Sequence, residues 1–110
     1  MQLLNRDGKY VEPDDLTFAA AAAGADWKSV PGMGLSLVNL KGAQSWPITG
    51  ASFALMYKTP ANVADSNEAL KFFDWAFKNG KKMAEELDYV ALPDAVTKLI
   101  SDTAWSQIKR

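Results

Sequence analysis

Trp46-Pro47-Ile48-Thr49-Gly50-Ala51-Ser52-Phe53-Ala54-Leu55-Met56-Tyr57-Lys58 is the stretch on which the fold turns. Phe53, Leu55 and Tyr57 fall on one side of an extended chain, Ala54 and Met56 on the other, and both sides are apolar. That pattern belongs to a strand buried inside a sheet with both faces covered, as in α/β proteins. Pro47 stands near its start, where a missing N–H does least harm. The reading is one main strand beginning at Trp46.

Upstream of it, Gln2–Leu4 and Lys9–Val11 flank Asn5-Arg6-Asp7-Gly8, and Asp-Gly supplies the positive φ that a tight hairpin needs. Pro13, Asp14 and Asp15 then open a helix through the alanine run, with Leu16, Phe18 and the alanines able to pack and Gly24 as its stop. The next residues are turn-rich, with some strand character over Leu35–Leu40. Gly32-Met33-Gly34 lacks the third glycine of a dinucleotide-binding loop and reads as loop punctuation.

Downstream, Ser66 or Asp65 is positioned to cap a helix. Ala69, Leu70, Phe73, Ala76 and Phe77 form one continuous face, which Phe72 and Trp75 widen. Asn79-Gly80 ends this helix, a short one follows over Lys81–Leu87, and Pro93-Asp94 starts another that runs to the C-terminus. Its inner stripe is Val96, Leu99, Ile100, Thr103 and Ile108. The fold class is therefore mixed α/β and helix-rich, with a hairpin, one main strand and three to four helices.

Composition narrows function. At 110 residues the chain builds at most one modest core, and 48% hydrophobic with 23% charged residues is ordinary globular usage. Twelve basic and thirteen acidic residues give a net charge of −1, which argues against a broadly basic nucleic-acid binder. Without cysteine or histidine there is no disulfide framework, no thiolate metal site and no imidazole base. We expect no catalytic residue, no metal and no cofactor. Met1–Asp7 lacks the apolar core of a signal peptide. The apolar Leu16–Ala25 follows Asp14 and Asp15 instead of a basic segment, so it reads as helix.

Three segments carry a family likeness: Ser45-Trp46-Pro47-Ile48-Thr49-Gly50, then Leu70-Lys71-Phe72-Phe73-Asp74-Trp75-Ala76-Phe77-Lys78-Asn79-Gly80, then Leu87-Asp88-Tyr89-Val90-Ala91-Leu92-Pro93. In this order and spacing, with Asp7-Gly8-Lys9, Pro13 and Ala22 to Trp27 before them, the chain resembles the substrate-binding protein of the bacterial high-affinity phosphate ABC transporter. The resemblance covers nearly the whole chain but only about the last third of the family's length. It implies a C-terminal fragment of a two-lobed, type II periplasmic binding protein. Residues 1–45 would be the end of the second lobe, and residues 46–110 the return segment of the first. It further implies inorganic phosphate and a membrane permease as partners, a periplasmic location and no enzymatic activity. The family's phosphate-contacting Thr/Ser/Gly segments, Asp and Arg have no counterpart here, so no phosphate-binding residue is assigned.

Read from the residues alone, other candidates have plainer explanations. Thr49-Gly50-Ala51-Ser52 suits a hinge or cleft lining, but a strand entry with a bulge explains it better, since glycine in a strand usually marks such a bend. Glu85, Glu86 and Asp88 suggest Ca²⁺, yet Lys81 and Lys82 lie four residues before the two glutamates and make a charge-paired surface. Lys78, Lys81 and Lys82 suit the C-terminal end of a helix. Trp46, Trp75 and Trp105 are expected core anchors rather than ring-stacking platforms. Ser45 and Thr49 have no general base to make either a nucleophile. A return strand without its sheet would leave Phe53, Leu55, Tyr57, Phe72, Phe73, Phe77, Leu99 and Ile100 uncovered. Three outcomes are open: a homo-oligomer formed by exchange of elements, which we expect, docking onto a missing N-terminal portion, or repacking into a helix-rich fold. The alternative function is a stand-alone interaction or self-assembly module without phosphate binding.

Overall fold

Leu3–Leu4 (β1) and Tyr10–Val11 (β2) pair antiparallel, Leu3 opposite Val11 and Leu4 opposite Tyr10. Gly8, at φ +76°, turns the chain between them as the Asp-Gly dipeptide predicts. The computed structural model describes all 110 residues and divides them into two compact units, Met1–Phe53 and Ala54–Arg110.

In the first unit, α1 spans Asp15–Ala23. Asp14 and Thr17 close a reciprocal capping box: the Thr17 N–H donates to Asp14 Oδ1 at 2.9 Å and the Asp14 N–H to Thr17 Oγ1 at 3.2 Å. Small side chains let α1 pack closely. Ala21 and Ala22 are buried, and Trp27 folds back to donate from Nε1 to the Ala22 carbonyl at 2.8 Å. Gly24 ends the helix in ordinary helical geometry, and a Cβ there would lie 3.3 Å from the Ala20 carbonyl oxygen and 3.5 Å from that of Lys41. Gly24 is thus a residue of close approach. Leu16, expected to pack, is three-quarters exposed, because the buried side of α1 carries Thr17, Ala21 and Ala22 instead. A single 3-10 turn, Pro31–Met33, follows. Leu35–Leu40 forms no strand: Asn39 turns at φ +54° and gives its N–H to the Pro47 carbonyl at 2.8 Å. The Trp46 N–H donates to the Thr17 carbonyl, and the Trp46 ring meets Phe18 edge-on at 6.1 Å.

In the second unit, α2 spans Val63–Asn79, α3 Lys81–Glu86 and α4 Asp94–Leu99. From α4 the chain continues through a π turn, Ile100–Ala104, and a 3-10 turn, Trp105–Gln107. The cap of α2 is Asn62, whose Oδ1 accepts from the Asp65 N–H at 3.2 Å, and not Asp65 or Ser66. Leu70, Trp105 and Ile108 form the core, with Met56, Phe73, Ile100 and Ala104 packed against it. Phe77 stacks flat on Trp105, centroids 5.7 Å apart and planes 8° from parallel. Lys109 donates its N–H to the Lys58 carbonyl at 2.7 Å, tying the C-terminus to the segment that carries Met56. No helix is long and apolar enough to cross a membrane.

The helix-rich fold matches the expectation, but the main strand does not form. Residues 50–57 carry no regular structure, and β1–β2 is the whole sheet. A segment apolar on both faces needs flanking strands for its ladder and cover for each face. This chain provides no such strand.

Candidate functional site

The most connected polar side chain lies in the hairpin turn, and sequence reasoning missed it. Asn5 is buried, and its Nδ2 donates to the carbonyls of Ala43 at 2.9 Å, Gly42 at 3.1 Å and Ser45 at 3.4 Å. Its Oδ1 accepts from the N–H groups of Lys9 and Asp7 at 2.9 and 3.1 Å. Asparagine at the first position of a turn bonds its own backbone two residues on, so half of this pattern was available from the hairpin. The other half crosses to a loop far along the chain. Asp7 Oδ2 accepts from the Gly42 N–H at 3.1 Å. Gly42 sits at φ +136°, and a Cβ there would come within 2.5 Å of Ser45 Oγ. All these groups satisfy one another, which makes a structural clasp rather than a vacant binding site.

The hydroxyls considered as nucleophiles belong to the same loop. Ser45 is 1% exposed and its Oγ donates to the Lys41 carbonyl at 3.2 Å. Thr49, also buried, donates to the Trp46 carbonyl at 3.0 Å. Both serve the backbone. Without a strand there is no bulge at Thr49–Ser52; the stretch lies in irregular chain just before the division between the units.

The charged clusters resolve into local pairs. Lys81 lies 3.9 Å from Glu85, Lys82 3.8 Å from Glu86, and Lys78 2.6 Å from Asp74, all at the surface. Exposed pairs of this kind contribute at most about 1 kcal/mol each. Asp88 adopts φ +61° just past the end of α3, and no three acidic side chains converge as a metal site would require. Arg6 and Arg110 are both exposed. Of the three tryptophans weighed as platforms, Trp46 and Trp105 are core anchors as expected, while Trp75 is half exposed.

What remains is apolar surface. Leu55 is 97% exposed, Tyr57 82% and Phe72 60%, and Phe53, Leu87 and Tyr89 are also exposed. Phe73, Leu99 and Ile100, expected in the same uncovered group, are half-buried instead, and Phe77 is partly covered by Trp105.

No family model matches the chain. Individual proteins do. The phosphate-binding protein PstS of Pasteurella multocida is 45% identical over 107 residues, which is 97% of this chain and 31% of that protein. PstS of Haemophilus influenzae is 42% identical over 110 residues, 100% of this chain and 33% of its own length. PstS of Xylella fastidiosa is 41% identical over 107 residues, 97% of this chain and 29% of its own length. The chain corresponds to one region of PstS. The family resemblance read from the three sequence segments is thereby borne out along essentially the whole chain. The chain spans about a third of the length of the PstS relatives it matches.

Proposed function

We propose that this chain is a section of a phosphate ABC transporter's substrate-binding protein, which captures inorganic phosphate in the periplasm and delivers it to a membrane permease. The observation that carries the reading is the 41–45% identity to phosphate-binding proteins across 97–100% of the chain. Its part in that system is structural and non-enzymatic. A buried phosphate needs converging backbone N–H groups and commonly an arginine. Here both arginines are exposed, and the hydroxyls of Ser45 and Thr49 bond backbone carbonyls. The phosphate ligands then lie in the remainder of the protein. Residues 1–45 belong to its second lobe and residues 46–110 return to its first.

The test grafts this chain into P. multocida PstS in place of its matching region. Calorimetric titration of phosphate into the graft is expected to give saturable binding, while the isolated chain gives no heat. A folded graft without phosphate affinity would overturn the reading, and saturable binding by the isolated chain would overturn the placement of the ligands.

A further inference from the structure

We propose that Asn79–Gly80 is a site of self-modification, at which the chain converts its own asparagine to aspartate or isoaspartate when the joint between α2 and α3 opens. Of the five asparagines only Asn79 precedes a glycine; Asn5, Asn39, Asn62 and Asn67 precede Arg6, Leu40, Val63 and Glu68, whose side chains crowd the main-chain nitrogen. In the reaction a base from solvent takes the Gly80 amide proton, and the nitrogen attacks Cγ of Asn79. The new N–C bond closes a succinimide ring, the Cγ–Nδ2 bond breaks and ammonia leaves. Water then adds to either ring carbonyl, and cleavage of that carbonyl's bond to nitrogen restores the N–H. One water is consumed for each ammonia released, without change of oxidation state.

The structure supplies both the lability and the restraint. Gly80 ends α2 and starts α3: its N–H donates to the Ala76 carbonyl at 2.7 Å, and its carbonyl accepts from the Ala84 N–H at 2.9 Å. A Cβ there would come within 2.6 Å of the Ala76 oxygen, so the position calls for glycine, and the nitrogen beside Asn79 stays unhindered. The same geometry keeps the reacting atoms apart. Asn79 is exposed, but its Nδ2 donates to the Trp75 carbonyl at 3.0 Å, which holds the side chain back along α2. Ring closure needs Asn79 to leave helical geometry, and so needs both bonds broken. Phe77, stacked on Trp105, resists that motion from within the last turn. The product undoes the joint. Isoaspartate carries the main chain through its side-chain carbon, and either product loses the donor to Trp75 and sets a carboxylate at the negative end of the α2 dipole. Cut off from α2, the six residues of α3 are too few to hold a helix by themselves. Each opening that reacts is therefore recorded permanently.

The experiment incubates the chain in buffer and in guanidinium chloride at the same pH and temperature, and follows aspartate and isoaspartate at position 79 by peptide mapping with mass spectrometry. Hydrogen exchange of the Gly80 amide is measured on the folded chain alongside. Expected is a slowing on folding of at least about tenfold that matches the protection of the Gly80 amide, because one local opening frees both. The rate should rise with pH in both states, and the reacted chain, separated and refolded, should show weaker helical circular dichroism. Asn79→Gln should abolish the product, since its longer side chain must close a larger ring. Equal rates with and without denaturant would overturn the proposal, as would a slowing far beyond the protection of the Gly80 amide, which would place the gate elsewhere. Modification of Asn39 or Asn62 ahead of Asn79 in the folded chain would overturn the assignment of the site.

Discussion

In Met1–Phe53 most of the chain is irregular, yet side chains such as Asn5, Thr17 and Ser45 close its loops onto one another. In Ala54–Arg110 most of the chain is helical and satisfies its own backbone, yet it meets little apolar cover outside the Leu70–Trp105–Ile108 cluster. Polar clasps need only a few well-placed groups, so the first unit reaches closure with a short chain. Helices need a broad apolar face to pack against, because their stability comes mainly from burial and little from propensity. The second unit therefore leaves more large apolar side chains exposed, Leu55 and Tyr57 above all.

Two substitutions test this contrast. Trp105→Ala removes the largest core side chain of the second unit and the ring on which Phe77 stacks. The expected loss is about 3–5 kcal/mol, comparable with the whole stability of a small unit. Hydrogen exchange should rise throughout α2 and the C-terminal helix while the hairpin amides stay protected. Asn5→Ala leaves three carbonyls without their donor and two N–H groups without their acceptor, and should cost about 2–3 kcal/mol. Its exchange signature should be the mirror image, concentrated at Lys9, Gly42 and Ser45. If either variant releases both units alike, polar closure and apolar packing are not separately responsible for them.

Elements set by local chemistry were legible in the sequence. The Asp-Gly hairpin, the acidic start of α1, the Asn79-Gly80 end of α2 and the Pro93-Asp94 opening of α4 each depend on residues within one turn of the boundary. Asn62 was overlooked as the cap of α2 because Asp65 and Ser66 are equally suitable residue types nearby. Which one caps depends on where the chain enters the helix. The reach of Asn5 was hidden for another reason: its partners at 42, 43 and 45 become neighbours only after folding. The main strand shows a third kind of gap. Its alternation is a strand pattern, but a strand also needs a ladder partner, and the one sheet of the structure is β1–β2.

The smallest expected effect is a gain, at the end of α3. There the Tyr89 N–H donates to the Ala84 carbonyl at 2.9 Å and the Asp88 N–H to the Glu85 carbonyl at 3.1 Å, the two bonds of a Schellman ending. The geometry places Asp88 in the left-handed region, at φ +61°, where glycine is the usual occupant. Aspartate tolerates that conformation better than most residues, but its Cβ still strains it, and its charge faces the negative end of the helix dipole. Asp88→Gly relieves both, against the extra freedom that glycine gives the unfolded chain. The balance should be a stabilisation of about 0.5 kcal/mol, read as a higher urea midpoint at unchanged slope. Asp88→Asn separates the two contributions, since it removes the charge and keeps the left-handed residue, and should give a few tenths of a kcal/mol. A loss of stability in Asp88→Gly would mean that the carboxylate itself holds the turn. Gain confined to the amides of α3 would show that this unit, short of apolar cover, still responds to local helix rules one turn at a time.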